Sequence, residues 1–505
     1  MTNIVDFSGK PFHFIGIGGI GMSALAYVLA KRQIPVSGSD LRSTHITQRL
    51  QSVGAHLLEG HHPTHLEFFL EKTEPIYQEL STTAVGVSPV QKVSPGLCQA
   101  NHSEVVHKVE PPLPQVICSS AINPINSEYR AAQDKGYPIF HRSDLLAALI
   151  EDYDSIAVAG THGKTTTSSL IGYMLLHSGL DPTIVVGGEV EAWEGNARLG
   201  HSPYLVAEAD ESDGSLAKLS AKIGVVTNIE LDHPDHYENL EAVIDIFQTF
   251  TQRCQTLVGC IDCQTLRSHF QPDISYSLHR DAGADYSVDK VSYHTNGTTA
   301  QVWEGNKILG ELHLKLLGQH NLSNALAAVA VGRHLDLDFE VIASGLANFE
   351  GAKRRFEYRG QCNDICFVDD YAHHPSEIKA TLEAARLQVQ DSKRIVAIFQ
   401  PHRYSRTLTF LPEFAESFNK ADLVVVTDIY SAGETDLGEI TGEDLQKAIA
   451  THQKKVYYQP TLELVSQFLT QNLQPGDLAL FLGAGNLNQI IPTLMEFYQK
   501  TDKYE

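Results

Sequence analysis

The residues best suited to chemistry form one short run. Gly160-Thr161-His162-Gly163-Lys164-Thr165-Thr166 follows the apolar stretch Ser155–Ala159 and precedes a helix-like stretch, SSLIGYMLLHSG. In such a loop the backbone N–H groups cradle phosphates, the lysine reaches the terminal phosphate oxygens, and the following hydroxyl can bind Mg²⁺. Lys164 and Thr165 occupy those places, although Val158 stands where the common phosphate loop has its first glycine. Magnesium takes oxygen ligands, usually one or two carboxylates beside substrate phosphates. Two apolar runs end in suitable groups: YLVA leads to Glu208, Asp210 and Glu211, and IGVVTNI leads to Glu230, Asp232, His233 and Asp235.

A second glycine turn lies at the start of the chain. Phe12–Ile15 leads into Gly16-Ile17-Gly18-Gly19-Ile20-Gly21 and then the helical run MSALAYVLAKR. Glycines let the backbone approach a diphosphate, which the positive end of the helix then attracts. Asp40 closes the next strand about twenty residues on, where an acidic residue can bond a ribose hydroxyl. The pattern leaves the nucleotide open between NAD and a UDP-sugar.

These groups must be positioned by an α/β framework. Short apolar runs alternate with longer helical stretches, as in parallel sheets joined by helices. We expect strands at PFHFIGIG, PQVICSSA, SIAVAGT, YLVAEAD, IGVVTNI, ICFVDD, RIVAIFQ, DLVVVTD and LALFLGAG. In open α/β sheets the ligands lie beyond the carboxyl ends of the strands. A chain of 505 residues predicts about three domains. Boundaries near Glu151–Asp154 and Glu350–Lys353 give domains 1–152, 153–351 and 352–505. Residues 73–114, with Pro75, Pro89, Pro95, Pro111, Pro112 and Pro114 and no clear period, read as a surface insertion in the first.

The composition is 42% hydrophobic and 20% charged, which excludes wholesale disorder. A net charge of −23 argues against nucleic acid or an anionic lipid surface as partner. No run of 18 apolar residues predicts a spanning helix. Seven cysteines in so long a chain do not make a disulfide scaffold and point to a reducing cytoplasm. Cys260-x-x-Cys263 has no second pair at zinc spacing, so plain thiols are expected.

Taken together the motifs resemble the Mur ligases, the ATP-dependent enzymes that build the peptide stem of peptidoglycan, and within them the alanine-adding branch. The matching segments are GIGGIGMS at 16–23, SGSD at 37–40, SSAI at 119–122, GTHGKTTT at 160–167, EADESD at 208–213 and TNIELDH at 227–233. They continue with GQHNLSNALAA at 318–328, RRF at 354–356, DDYAHHPSE at 369–377, QPHRYSRT at 400–407 and GAGN at 483–486. The resemblance implies a Rossmann-like first domain, a phosphate-loop central domain and a Rossmann-like third domain. It implies ATP and Mg²⁺ as cofactors, UDP-N-acetylmuramate and L-alanine as substrates, and a monomer or weak homodimer.

By the same resemblance Gly16, Gly18, Gly19, Gly21, Asp40, Ser119 and Ser120 would hold the UDP-sugar. Gly160, Thr161, His162, Gly163, Lys164, Thr165, Thr166, Asn321, Asn324 and Arg355 would hold ATP, with Thr165, Glu208 and His233 on the metal. The two asparagines, spaced i and i+3, share a helix face. Tyr371, His373, His374, Arg403 and Arg406 would frame alanine, the arginines offering a planar fork for a carboxylate or phosphoryl oxygen. Lys164, Glu208, His233, Asp370, His374 and Arg403 would take part in the reaction. Several relatives carry a carbamylated lysine after the metal-binding histidine. Here no lysine lies between Lys222 and Lys290, which fits the alanine-adding branch. A sister branch adding a ready-made tripeptide is the alternative.

Overall fold

A computed structural model describes residues 4–71, 113–389 and 393–501. The expected insertion at 73–114 therefore lies, as far as Pro112, outside the described residues. The chain folds as three α/β domains, each built on its own sheet.

The first sheet has five parallel strands in the spatial order His56–Glu59, Val36–Asp40, Phe12–Ile15, Gln115–Cys118 and Ile139–His141. The order reverses between Phe12–Ile15 and Gln115–Cys118, the switch point at which doubly wound folds bind ligands. The 16–21 glycine turn leaves the sheet there, and the helix Ile20–Lys31 follows it.

The central sheet has ten strands. Its parallel core includes Ile223–Val226, Asp154–Ala159 and Tyr204–Glu208 side by side, so the phosphate loop emerges between the two acidic strand ends. Helices Lys164–His177 and Gln319–His334 pack together, and both are buried along most of their length. Sequence reading missed the antiparallel arm Tyr286–His294, Gly297–Glu304 and Lys307–Leu314 on one edge. Its two-residue turns, Thr295-Asn296 and Gly305-Asn306, carry Asn and Gly, the residues such hairpins favour.

The third sheet has six strands, with Glu357–Cys362 antiparallel at the edge beside Ile365–Asp370, Leu478–Leu482, Ile395–Phe399, Leu423–Val426 and Val456–Tyr458. Ile395–Phe399 and Leu478–Leu482 are buried at every position, as parallel strands covered on both faces must be. All nine strands expected above are present. One apolar cluster runs from Phe12, Phe14 and Leu25 through Ala157, Ala207 and Phe247, so the first and central domains share a core. The third domain has separate clusters on the two faces of its sheet. Among the described residues no helix is long and apolar enough to cross a membrane.

Candidate active site

The phosphate loop connects a strand buried from Ser155 to Ala159 to a helix, and its shape depends on Gly163. This residue has φ 80°, and a Cβ there would lie 2.6 Å from Asn324 Oδ1. Any side chain would push the loop off the helix behind it. Lys164 Nζ donates to Gly160 O (2.7 Å), Thr161 O (3.1 Å) and Glu211 Oε1 (2.9 Å). Burial works against its charge, but Glu211, Asp210 and Glu208 more than restore it, so Lys164 remains an ammonium. Glu211 is 2% exposed, and burial pushes its carboxyl up to about 7 despite the lysine.

Thr165 Oγ1 donates to Glu208 Oε1 at 3.1 Å, and the Gly187 N–H donates to Glu208 Oε2 at 2.7 Å. A Cβ at Gly187 would come within 2.6 Å of that carboxylate and would displace it from the Gly187 N–H. Two oxygen donors suited to Mg²⁺ thus stand one hydrogen bond apart. Arg355 Nη2 reaches the same Thr165 hydroxyl at 3.3 Å. His233 holds a left-handed backbone, φ 54°, a conformation that persists only where its surroundings enforce it. Burial lowers its pKa, so its imidazole is neutral, the form that ligates metals.

Across the cleft the third domain presents two arginines in different states. Arg406 is 1% exposed, and its Nε donates to Asp232 Oδ1 at 2.8 Å. Arg403 is partly exposed, pairs with Asp235, and lies 3.6 Å from Glu434. Its φ of 71° is also left-handed. The Tyr371 ring lies beneath the guanidinium groups of Arg354 and Arg355 at 5.1 and 5.0 Å. His373 Nδ1 donates to Tyr371 O at 2.9 Å, and burial lowers its pKa to about 3. Burial likewise lowers His374 to about 4, so both rings are neutral.

At the first glycine turn the Gly18 N–H donates to Asp40 Oδ2 at 2.8 Å. The following helix has Gly19 at its N-cap and no side-chain cap, so N–H groups remain at its start.

A cleft of about 1300 Å³ runs between the three domains. Gly21 and Ser120 reach it from the first domain; Thr161, Gly163, Lys164, Thr165, Glu208 and His233 from the second; Arg355, Tyr371, His373, Arg403 and Arg406 from the third. Other expected residues stand behind this surface. Gly16, Gly18, Gly19, Asp40, Ser119, Gly160, His162, Thr166, Asn321, Asn324, Asp370 and His374 do not line the cleft. Asn321 Nδ2 donates to Leu317 O at 2.8 Å, and Asn324 Nδ2 to Asn321 Oδ1 at 3.4 Å, both buried behind the loop. Asp370 accepts the N–H groups of Phe356 (2.7 Å) and Ala372 (2.8 Å) and so ties together the turns bearing Arg355 and Tyr371. Burial pushes its carboxyl up to about 6.

Sequence reasoning missed Arg142. It lines the cleft, donates to Asp210 Oδ2 (2.9 Å) and Asp213 Oδ2 (3.2 Å), and its Nη1 would touch a Cβ at Gly21 at 3.1 Å. Its signal was its place directly after the strand Ile139–His141, in a chain with few basic residues. Cys260 and Cys263 turn to different partners, Ser323 Oγ at 3.7 Å and the backbone of Ile229.

A phosphate loop, acidic strand ends and an arginine face open on one cleft between three α/β domains, the parts of an enzyme acting on a phosphorylated nucleotide. The chain matches the Mur ligase family, catalytic domain, over residues 11–154, the Mur ligase middle domain over 158–332, and the Mur ligase, glutamate ligase domain over 354–485. It belongs to the Mur ligase family. Among curated relatives, the UDP-N-acetylmuramate–L-alanine ligase of Nostoc punctiforme is 64% identical over 495 residues, covering 98% of each chain. That of Gloeothece citriformis is 61% identical over 505 residues, covering 98% of this chain and 99% of the relative. Among solved structures, the UDP-N-acetylmuramate–alanine ligase of Thermotoga maritima superposes with a TM-score of 0.76 at 26% identity, covering 97% and 99% of the two chains. A murein peptide ligase of Psychrobacter arcticus shares the fold, with a TM-score of 0.67 at 20% identity.

Proposed function

We propose that this chain is an ATP-dependent ligase joining L-alanine to the lactyl carboxylate of UDP-N-acetylmuramate, with release of ADP and phosphate. The observation that carries the reading is its 64% identity, over 98% of both chains, to a ligase of that name, joined to a cleft that has the parts such a reaction needs. We assign the sugar nucleotide to residues 1–152, ATP to 153–351 and alanine to 352–505.

A carboxylate must be activated before an amine can displace its oxygen. The muramyl carboxylate attacks the γ-phosphate, forming an acyl phosphate and ADP. Lys164 leaves Glu211 and the loop carbonyls to take the charge of the transferring group. Thr165 Oγ1, Glu208 and the neutral His233 imidazole would hold Mg²⁺, whose part is to neutralise charge on the phosphates. The alanine amine, neutral at the moment of attack, then adds to the acyl carbon and phosphate leaves. Arg403 and Arg406 orient the alanine carboxylate or the departing phosphate. Of the two sequence candidates for taking the amine proton, Asp370, its carboxyl raised by burial, is favoured, because His374 Nδ1 already accepts the Ser376 N–H and its Nε2 carries the proton. An acyl phosphate is hydrolysed by open water, so the cleft must close over it. Reduced thiols and an acidic surface suit the cytoplasm, with the chain a monomer or weak homodimer.

The test is phosphate release from ATP in the presence of UDP-N-acetylmuramate and a panel of acceptors. L-Alanine should support turnover well above glycine, serine or the tripeptide. Preference for the tripeptide would move the chain to the sister branch.

A further inference from the structure

His162 behaves unlike the rest of its loop. Its main chain is held by the central domain, with its N–H on Asn228 Oδ1 (2.8 Å) and its carbonyl accepting from Thr227 Oγ1 (2.6 Å) and Asn228 Nδ2 (3.0 Å). Its ring does not line the cleft. It lies between two carboxylates, with Nε2 3.4 Å from Glu230 Oε2 and Nδ1 3.3 Å from Glu377 Oε1. Both acids are bound to the start of the third-domain helix Pro375–Val389. Ser376 Oγ donates to Glu230 Oε2 at 2.7 Å. Glu377 Oε2 accepts the N–H groups of His373 (3.0 Å) and His374 (3.3 Å). The His374 ring packs on His162 with centroids 4.7 Å apart. Burial opposes a charge on His162, but Glu230 and Glu377 raise its pKa to about 10, so the ring is a cation held between two carboxylates, with Nε2 making no hydrogen bond.

We infer that His162 is a positioning residue that fastens the phosphate loop to the third domain, coupling the seating of ATP to the placement of the alanine-binding face. The inference rests on the ligase reading above. The ring belongs rigidly to the loop that carries Lys164, and Glu377 belongs rigidly to the turn that carries His373. The His162–Glu377 ion pair therefore ties the phosphate end of the cleft to its acceptor end, beside the Arg406–Asp232 and Arg403–Asp235 pairs. Small displacements of reacting groups lower rates steeply.

His162, Glu230 and His374 are also metal-ligating residue types, with ligand atoms within 4.8 Å of one another. However, His374 Nδ1 accepts the Ser376 N–H at 3.3 Å. Its neutral ring therefore carries the proton on Nε2 and has no free lone pair there.

The experiment uses the full chain with His162→Gln, Glu377→Gln and the double variant. It measures alanine-dependent phosphate release and, by calorimetry, ATP affinity. Glutamine at 377 still accepts the backbone N–H groups, so the helix start is retained. Each single variant should lose kcat about tenfold or more while ATP Kd stays within about twofold, and the double should be no worse than the weaker single. His162→Lys, which restores a cation, should recover part of the rate. A large rise in ATP Kd confined to His162→Gln would make the ring a phosphate contact and overturn the inference. So would additive losses, or a stoichiometric transition metal retained by the unmodified protein and lost from His162→Gln. If His162→Gln does not fold, Glu230→Gln paired with Glu377→Gln carries the same cycle. Failure of the ligase reading would appear separately, as absent alanine-dependent turnover in the unmodified protein.

Discussion

Two strand–glycine–helix turns border the cleft, and they differ in what already holds their polar groups. At residues 16–21 a carboxylate, Asp40 Oδ2, accepts the Gly18 N–H at 2.8 Å. At residues 160–165 a cation, Lys164, folds back over the loop's own carbonyls and onto Glu211. Both turns leave a strand and open a helix, but through different backbone: Gly19 caps the first helix at φ −61° and Gly163 caps the second at φ 80°. The charge beside each turn separates their chemistry. The first offers backbone donors and an acid suited to hydroxyls, and the second holds an ammonium suited to a phosphoryl group. On the ligase reading proposed above, the glycine pattern would mark both as nucleotide turns, and the neighbouring charge would mark the second as the one where bonds to phosphorus are broken.

The largest effect should come from removing that ammonium. Lys164→Ala should lower turnover on the order of a thousandfold or more, about 4 kcal/mol, with the thermal unfolding transition preserved. Near-normal turnover in the folded variant would erase the distinction between the two turns. A comparable contrast holds between the two arginines of the third domain. Arg406→Met leaves Asp232 buried without its partner and should destabilise the protein by about 3 kcal/mol. Arg403→Met removes a more exposed pair and should change stability by less than about 1 kcal/mol. Denaturant titration of both variants checks this. For activity, Lys at either position should raise the alanine KM if that arginine holds the carboxylate, or lower kcat if it holds the phosphate.

The turns themselves were legible in the sequence because each is a local pattern, a strand, closely spaced glycines and a helix within about twenty residues. The nine apolar strands were legible for the same reason, as was the Asp40 strand end. What sequence could not supply were pairings across long separations. Asp40 on Gly18 spans two strands, Arg406 on Asp232 spans 174 residues, and Glu377 on His162 joins two domains. Likewise Asn321 and Asn324 share one helix face as their spacing predicts, but only packing reveals that this face lies behind the phosphate loop. Arg142 escaped notice because nothing in its local sequence announces Asp210 and Asp213. The antiparallel arm was missed by attention to βα alternation, despite its hairpin turn residues.

Glu211 sharpens the comparison from the acid side. Its folded carboxyl titrates at about 7, raised by burial from an ordinary value of 4.5. The folded protein thus binds more protons than the unfolded chain between those two values. Wild-type stability should fall relative to Glu211→Gln as pH rises from about 4.5 to 7, and the difference should be flat above that window. Denaturant midpoints of the two proteins across pH 4 to 8 provide the measurement. A difference that grows in the opposite direction would mean that Lys164 lowers the carboxyl more than burial raises it.

The smallest expected effect lies at the first turn. Asp40→Asn keeps an oxygen to accept the Gly18 N–H, so the glycine turn should retain its shape. It removes the charge and one strong acceptor. If the carboxylate also receives a ribose hydroxyl, the variant should weaken UDP-N-acetylmuramate binding about fivefold, near 1 kcal/mol, through KM with kcat unchanged. Asp40 does not line the cleft as it stands, so it acts on the ligand either through a small rotation toward the nucleotide or through the turn it braces. The two routes predict different responses to Asp40→Ala. Loss of a ribose contact should leave Ala and Asn alike, whereas loss of the brace should make Ala markedly worse. Tighter binding in Asp40→Asn would point to a third arrangement, in which the carboxylate competes with a ligand diphosphate for the Gly18 N–H. In that case the first turn would resemble the second more closely than its charge indicates, each held by an internal group that the substrate must displace.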